Sequence, residues 1–404
     1  MEFDHASRLT QRVKVLKPSI TLAIAARAKK LKAEGVDILS FGAGEPDFDT
    51  PDNIKEAGIK AIKSGFTKYT EVGGIPELKK AIIEKFQRDQ GLAYGPDQIL
   101  VSCGAKHSLY NLAVSLFEAG DEVIIPAPYW VTFPEQVSYA GATPVIIPTK
   151  ESNRFALEAA DLRKAVTKKT KAVILNSPNN PTGEILPRET LAEVAEFAVE
   201  NKIYVISDEC YEKLLYEGAE HVSIATLGNA IKEQTIIVNA VSKTYSMTGW
   251  RIGYAAGPRE IIKAMDTVQS QATSNPTSIA QKAAVEALAG PQEVVAERNK
   301  EFQKRRDHIV DGLNKIDGIT CLKPSGAFYV FPNVSRLYGK KYKGKAIDGS
   351  ISFSEFLLEA AKVAVVPGIG FGSDAHIRLS YPYSIDFISE GVKRIREAVS
   401  RLAK

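Results

Sequence analysis

Seven short apolar runs between residues 98 and 257 constrain this chain more than any other feature. They fall at Ile99–Ser102, Glu122–Ile125, Pro144–Ile147, Ala172–Leu175, Ile203–Ile206, Thr235–Val238 and Arg251–Ala255. A strand with one wet face alternates apolar and polar residues. These runs are apolar almost throughout, as strands covered on both faces must be. Most are separated by helix-like periodic segments such as Glu189–Asn201. The pattern predicts an α/β architecture, a mainly parallel seven-stranded sheet sandwiched by helices. After about residue 290 the pattern changes to long charged helices at 291–316 and 386–402, with strand-like runs at Ala327–Phe331, Val363–Val366 and Ile377–Ser380. These predict a smaller α+β domain. An earlier helix-like run, ITLAIAARAKKLKAEG, stops at Gly35, and nothing in its pattern ties it to the large sheet. The expected division is an N-terminal arm at 1–15, a large domain at 45–290, and a small domain made of 16–44 plus 291–404. Thr50 and Pro51 read as the N-cap and first residue of a helix that ends at Gly65.

Composition narrows the function. With 44% hydrophobic and 25% charged residues the chain is an ordinary globular one, and a net charge of +4 is too small for a nucleic-acid footprint. Cys103, Cys210 and Cys321 are odd in number and far apart, and no metal-ligand spacing such as CxxC or HExxH occurs, so neither disulfides nor a metal site is expected. The N-terminus lacks the apolar core of a secretory signal. The most apolar stretch, Val123 to Pro134, contains three prolines and is too short for a membrane span. A cytoplasmic protein working in a reducing compartment, with no nucleic-acid or membrane partner, is expected.

In open α/β sheets ligands bind beyond the carboxyl ends of the strands. After ILVS comes Cys103-Gly104-Ala105-Lys106, after AVIL comes the turn from Asn176 through Asn180, after IYVIS comes Asp208 with Tyr211 beyond it, and after TIIVNAV come Ser242, Lys243 and then Arg251. Each has an ordinary reading: a tight turn, an N-cap, a solvated lysine, a surface ion pair. Small residues at a helix start leave N–H groups free for an anion, and a buried lysine shifts its pKa readily. Together the strand ends point to an anionic ligand held by helix N–H groups and an arginine beside a reactive amine. A dinucleotide site is excluded, because Gly42-Ala-Gly44 continues into Glu-Pro-Asp and Gly368-Ile-Gly-Phe-Gly372 leads into no helix.

Three segments carry a resemblance. SPNNPTG, SDECYE and SKTYSMTGWRIGY, in that order and spacing, resemble the class I aminotransferases that depend on pyridoxal 5′-phosphate and have fold type I. The likeness runs from KPS and GAGEPDFDTP through KYTEVGGIPELKKAI, VSCGAKHSLYN and PAPYWV to PSGAFY, VVPG and IRLSY, and is strongest to the bacterial and plastid-type aspartate aminotransferases, whose members often also use prephenate. The resemblance implies that Lys243 bonds to the cofactor aldehyde and then shuttles the proton at the substrate Cα. It implies that Asp208 pairs with the ring nitrogen, that Tyr211 and Asn180 bond the phenolic oxygen, and that Trp130 stacks on the ring. The phosphate would lie on the Ala105 and Lys106 backbone, Ser242 and Arg251. Many relatives carry Ser three residues before the lysine, where this chain has Ala240.

Tyr69 would reach the phosphate of a neighbouring subunit, which implies a homodimer with shared active sites. Arg378, a planar fork suited to a carboxylate, would grip the substrate α-carboxylate beside the Gly44 backbone. Lys106 would take the distal carboxylate of a dicarboxylic substrate, and Lys17 and Thr21 would serve prephenate. The implied reaction joins L-aspartate and 2-oxoglutarate to oxaloacetate and L-glutamate, with amino acids and 2-oxo acids as partners. An aromatic or broad-specificity aminotransferase, or a C–S β-lyase on the same scaffold, is the alternative.

Overall fold

A computed structural model describes residues 5–17 and 20–403, leaving out the side chains of residues 20–22 and 25. The strands in chain order are β1 (Leu39–Ser40), β2 (Ile99–Ser102), β3 (Glu122–Ala127), β4 (Thr143–Pro148), β5 (Thr170–Asn176), β6 (Tyr204–Asp208), β7 (Thr235–Ala240), β8 (Gly253–Ala256), β9 (Tyr329–Val330), β10 (Lys341–Tyr342), β11 (Lys345–Ala346), β12 (Val363–Ala364), β13 (Val366–Pro367) and β14 (Ile377–Ser380). Seven of them form one sheet in the order β2-β8-β7-β6-β5-β3-β4. All pairings are parallel except the two made by β8, so the sheet expected from the sequence is present.

The absence of alternation has the cause inferred for it. On β5, Ala172 and Ile174 pack into one core cluster, while Val173 and Leu175 pack into another on the opposite face. On β2, Ile99 and Val101 face one side and Leu100 the other. The helices Pro76–Gln90 and Ser278–Ala289 cover part of one face, and Ala105–Leu116 and Arg259–Ala272 part of the other. A side chain on either face therefore leaves water, and each such burial contributes about 1.5–3 kcal/mol.

Residues beyond 290 build a three-stranded antiparallel sheet, β13-β14-β9, packed against the helices Glu293–Leu313 and Ile385–Val399. β1 pairs in parallel with β12, so the chain before residue 44 attaches to this C-terminal part. Among the described residues no helix is long and apolar enough to cross a membrane.

Local expectations need four corrections. Pro51 is extended (φ −52°, ψ 145°) and caps a helix that starts at Asp52, because the Thr50 hydroxyl accepts from Trp250 Nε1 (2.9 Å) and donates to the Ser246 carbonyl instead of capping the helix. Gly65 ends that helix at φ +75°. The run Val363–Val366 is two strands, since β12 pairs with β1 while β13 pairs with β14. The run Ala327–Phe331 contracts to β9, with Ala327 at φ +54°. The run from Arg251 becomes strand only at Gly253, because Arg251 lies in the left-handed region at φ +57°.

Candidate active site

A cavity of about 310 Å³ opens at the carboxyl ends of β5, β6 and β7 and is closed on its other side by β9 and β14. It brings together Gly44, Ala105, Lys106, Trp130, Asn180, Asp208, Tyr211, Ser242, Lys243, Arg251 and Arg378, which are eleven of the fourteen residues singled out from the sequence. Tyr69, Lys17 and Thr21 are not among its lining residues. Tyr69 is 90% exposed. Lys17 is exposed, with its backbone N–H donating to Glu135 at 2.8 Å. The Thr21 side chain lies outside the described residues. A neighbouring cavity of about 290 Å³, containing Arg154 and Glu184, shares only Asn176 with this one.

One end of the cavity is a cationic cradle. Gly104, at φ +88°, caps the helix Ala105–Leu116, whose first N–H groups are free of intrahelical partners. Arg251 spans that end, donating from Nη1 to Thr248 O (2.9 Å) and from Nη2 to Cys103 O (3.3 Å). The approach is close enough to demand glycine twice. A Cβ on Gly104 would lie 2.4 Å from Arg251 Nη2, and one on Gly253 would lie 2.2 Å from the Ala105 nitrogen. Helix N–H groups, the buried Ser242 and a guanidinium form a site for a phosphate-like anion.

The middle holds an acid and an amine. Asp208, buried at the end of β6, accepts from the Cys210 N–H at 3.2 Å, and burial raises its carboxyl to about 6, with the Cys210 hydrogen bonds opposing. The strand end carrying it is fixed from behind. Glu209 accepts from Ser207 (2.9 Å) and Ser223 (2.6 Å) and faces His221 at 3.1 Å, while Asn239 (2.8 Å) and Lys85 hold Glu212. Those two carboxylates and His221 converge closely enough to ligate a cation, and the Lys85 ammonium already supplies the positive charge there. Lys243 donates to the Gly44 carbonyl, and desolvation lowers its amine to about 8. Arg378 and Arg251 reinforce that lowering, against the Cys210 and Glu45 charges. An amine so shifted is a usable nucleophile and base near neutral pH.

The far end is a second cationic pocket. Arg378 is 2% exposed, donating from Nη1 to Asn180 Oδ1 (2.9 Å) and from Nη2 to Gly42 O (2.8 Å). Its Nε has no partner, and among the described residues no carboxylate pairs with it. The guanidinium lies over the Tyr329 ring at 4.7 Å. Nearer the cradle, the Lys106 side chain lies over the Trp130 ring at 4.9 Å, with its pKa lowered by burial and by the Arg251 charge. A buried cation lacking a counter-ion requires an anion to offset its desolvation.

Tyr329 was not singled out from the sequence, although it belongs to the quoted PSGAFY segment. It bonds Tyr211 Oη at 2.7 Å and lines the cavity. Asn176 follows the AVIL run directly, but no role was assigned to it. It ends β5, donates to Asp208 O (3.1 Å) and accepts from Asn180 N (2.8 Å). The strand-end reading reaches Asn176 directly after AVIL, whereas no local signal says that β9 faces the sheet ends.

Comparison with known proteins agrees with this geometry. Residues 36–395 match the family described as aminotransferase class I and II. The chain is 53% identical to an aspartate aminotransferase of Geobacillus stearothermophilus, over 96% of this chain and 98% of that one. It is 49% identical to a probable aspartate/prephenate aminotransferase of Aquifex aeolicus, covering 98% and 99% of the two chains. The solved aspartate aminotransferase of Rhizobium meliloti superposes with a TM-score of 0.95 at 46% identity, over 98% of this chain and 100% of that one.

Proposed function

The chain belongs to the class I and II aminotransferases, and from that premise we propose that it moves the amino group of L-aspartate to 2-oxoglutarate, giving oxaloacetate and L-glutamate. Enzymes of this family use pyridoxal 5′-phosphate, which when bound supplies an electron sink for charge developing at the substrate Cα. The residues present fit that group: Gly253 leaves no room for a Cβ against the helix N-terminus, Gly104 holds a left-handed φ beside Arg251, and a shifted amine stands beside a buried carboxylate.

In this reading Lys243 would hold the cofactor through its amine and would carry the proton to and from the substrate Cα. Asp208 would pair with the ring nitrogen and favour its protonated form, Tyr211 and Asn180 would bond the phenolic oxygen, and Trp130 would stack on the ring. Ala105, Lys106, Ser242 and Arg251 hold the phosphate. Arg378 grips the substrate α-carboxylate beside the Gly44 backbone, and the Lys106 side chain meets the distal carboxylate. The buried Arg378, with no carboxylate partner among the described residues and in the same cavity as Lys243, carries this reading. Relatives named for both aspartate and prephenate support prephenate as a second acceptor, with Lys17 and Thr21 as its contacts.

Further proposals follow from the same reading. The exposed ring of Tyr69 reaches the phosphate site of a second copy in a homodimer. The pairing of β1 with β12 supports a small domain of 16–44 plus 291–404, beside a large domain at 45–290 and an arm at 1–15. All three cysteines are free, which supports a cytoplasmic location.

The test is product analysis. The holoenzyme given L-aspartate and 2-oxoglutarate should form oxaloacetate and L-glutamate in equal amounts, whereas pyruvate and ammonia from cysteine conjugates would identify a lyase instead. Lys106→Ala should lower kcat/KM for dicarboxylates by about tenfold more than for monocarboxylic amino acids. Equal losses would remove Lys106 from substrate recognition.

A further inference from the structure

Residues 42–50 connect β1 to the helix Asp52–Lys63, and two of their carbonyls hold cavity side chains. Gly42 O accepts from Arg378 Nη2 at 2.8 Å, and Gly44 O accepts from Lys243 Nζ. The fit at Gly44 is tight, since a Cβ there would stand 2.6 Å from Tyr329 Oη. The position of this loop therefore sets the surroundings of both the arginine and the amine.

Asp47, Phe48 and Asp49 lie outside the cavity lining, yet each is held by the helix Glu293–Leu313. The contacts come from Arg298, Phe302 and Arg305, spaced four and three residues apart and so on one helical face. Arg305 Nη1 meets Asp47 Oδ1 at 2.7 Å, and its Nε meets Glu301 at 3.1 Å, with only 7% of its side chain exposed. The Phe48 ring is flanked by both guanidinium groups, each 5.0 Å from its centroid, and stands edge-on to Phe302 at 5.4 Å. Arg298 donates from Nη2 to Asp49 O (2.6 Å) and from Nη1 to Ser246 Oγ (2.9 Å). Ser246 sits in the loop that carries Lys243, and its carbonyl also accepts the Thr50 hydroxyl at 2.7 Å. Arg298 thus fastens the loop presenting Gly44 to the loop presenting Lys243.

We infer that Arg298, Phe302 and Arg305 are positioning residues, a clasp that sets where the Gly42 and Gly44 carbonyls stand relative to Arg378 and Lys243, and so how well the site takes a substrate carboxylate. This inference rests on the aminotransferase reading of the cavity. The clasp touches neither substrate nor cofactor, so its signature is a change in substrate binding without a change in cofactor retention.

The experiment compares wild-type, Arg305→Ala and Arg305→Lys holoenzymes. Arg305→Ala should raise KM for L-aspartate and 2-oxoglutarate about tenfold with a smaller change in kcat. Cofactor absorbance should stay at its wild-type value while Tm falls by about a few degrees, as the loss of a buried ion pair requires, and Arg305→Lys should recover most of both KM and Tm. Hydrogen exchange should quicken about tenfold at the amides of residues 42–50 and stay unchanged in β7. Unchanged KM with unchanged exchange would overturn the proposal, as would KM, Tm and cofactor retention failing together. If Arg305→Ala does not fold, Phe48→Leu carries the same test with the same expected direction. A wild-type enzyme that transfers no amino group from aspartate would defeat the functional reading, while the exchange measurement would still decide the clasp.

Discussion

Arg378 and Lys243 define the site because each bears a charge that its surroundings only partly repay. The guanidinium is buried against Tyr329 and Phe371 with carbonyl partners and, among the described residues, no carboxylate. Lys243 is held to about 8 by desolvation, well below its ordinary 10.5. Between those values the unfolded chain carries a proton that the native chain lacks, so stability rises with pH from about 8 to 10.5. Below about 8 the native state carries the desolvated charge and is penalised for it. Lys243→Met in the cofactor-free protein should therefore gain roughly 2 kcal/mol near pH 7, allowing for the part of the amine that faces solvent. The gain should shrink as pH climbs above 8. Urea unfolding at pH 7 and pH 10 measures this, and an equal gain at both would show that the amine is not shifted.

At the level of elements, the anion cradle depends on β8 lying directly against the start of the helix Ala105–Leu116. Gly253 permits that contact, since its Cβ would meet backbone atoms of Gly104 and Ala105 at 2.2–2.9 Å. Backbone cannot swing aside as a side chain can, so Gly253→Ala should push the helix N-terminus away from Arg251. Such overpacking costs about 1–3 kcal/mol, expected here as a cofactor affinity weakened by about tenfold or more. Wild-type affinity in equilibrium dialysis would contradict the cradle. The large sheet was legible because burial on both faces leaves a local signature in each strand. The two-residue strands β12 and β13 were not, because partners distant in sequence define them. Pro51 and Arg251 were misread for a similar reason: Ser246 engages the residue before Pro51, and a left-handed turn at Arg251 delays β8, neither of which shows in periodicity.

Across the whole molecule, the site joins residues from both ends of the chain to residues from its middle. Asp208, Asn180, Ser242 and Lys243 were legible from strand ends alone, since an open parallel sheet directs them to one edge. Gly44 and Arg378 came only through the family resemblance, because no local pattern says that β14 turns toward that edge. Tyr329 and the clasp on the helix Glu293–Leu313 came only from the fold, being contacts between segments hundreds of residues apart. The proposed function unites these parts as one amine that would anchor pyridoxal phosphate, opposite an arginine that would grip a substrate carboxylate. Borohydride reduction of the holoprotein followed by peptide mapping tests that anchor most directly. The cofactor should be fixed on the peptide containing Lys243, and prior incubation with L-aspartate should prevent it. Label on any other lysine, or none on the untreated holoprotein, would contradict the assignment.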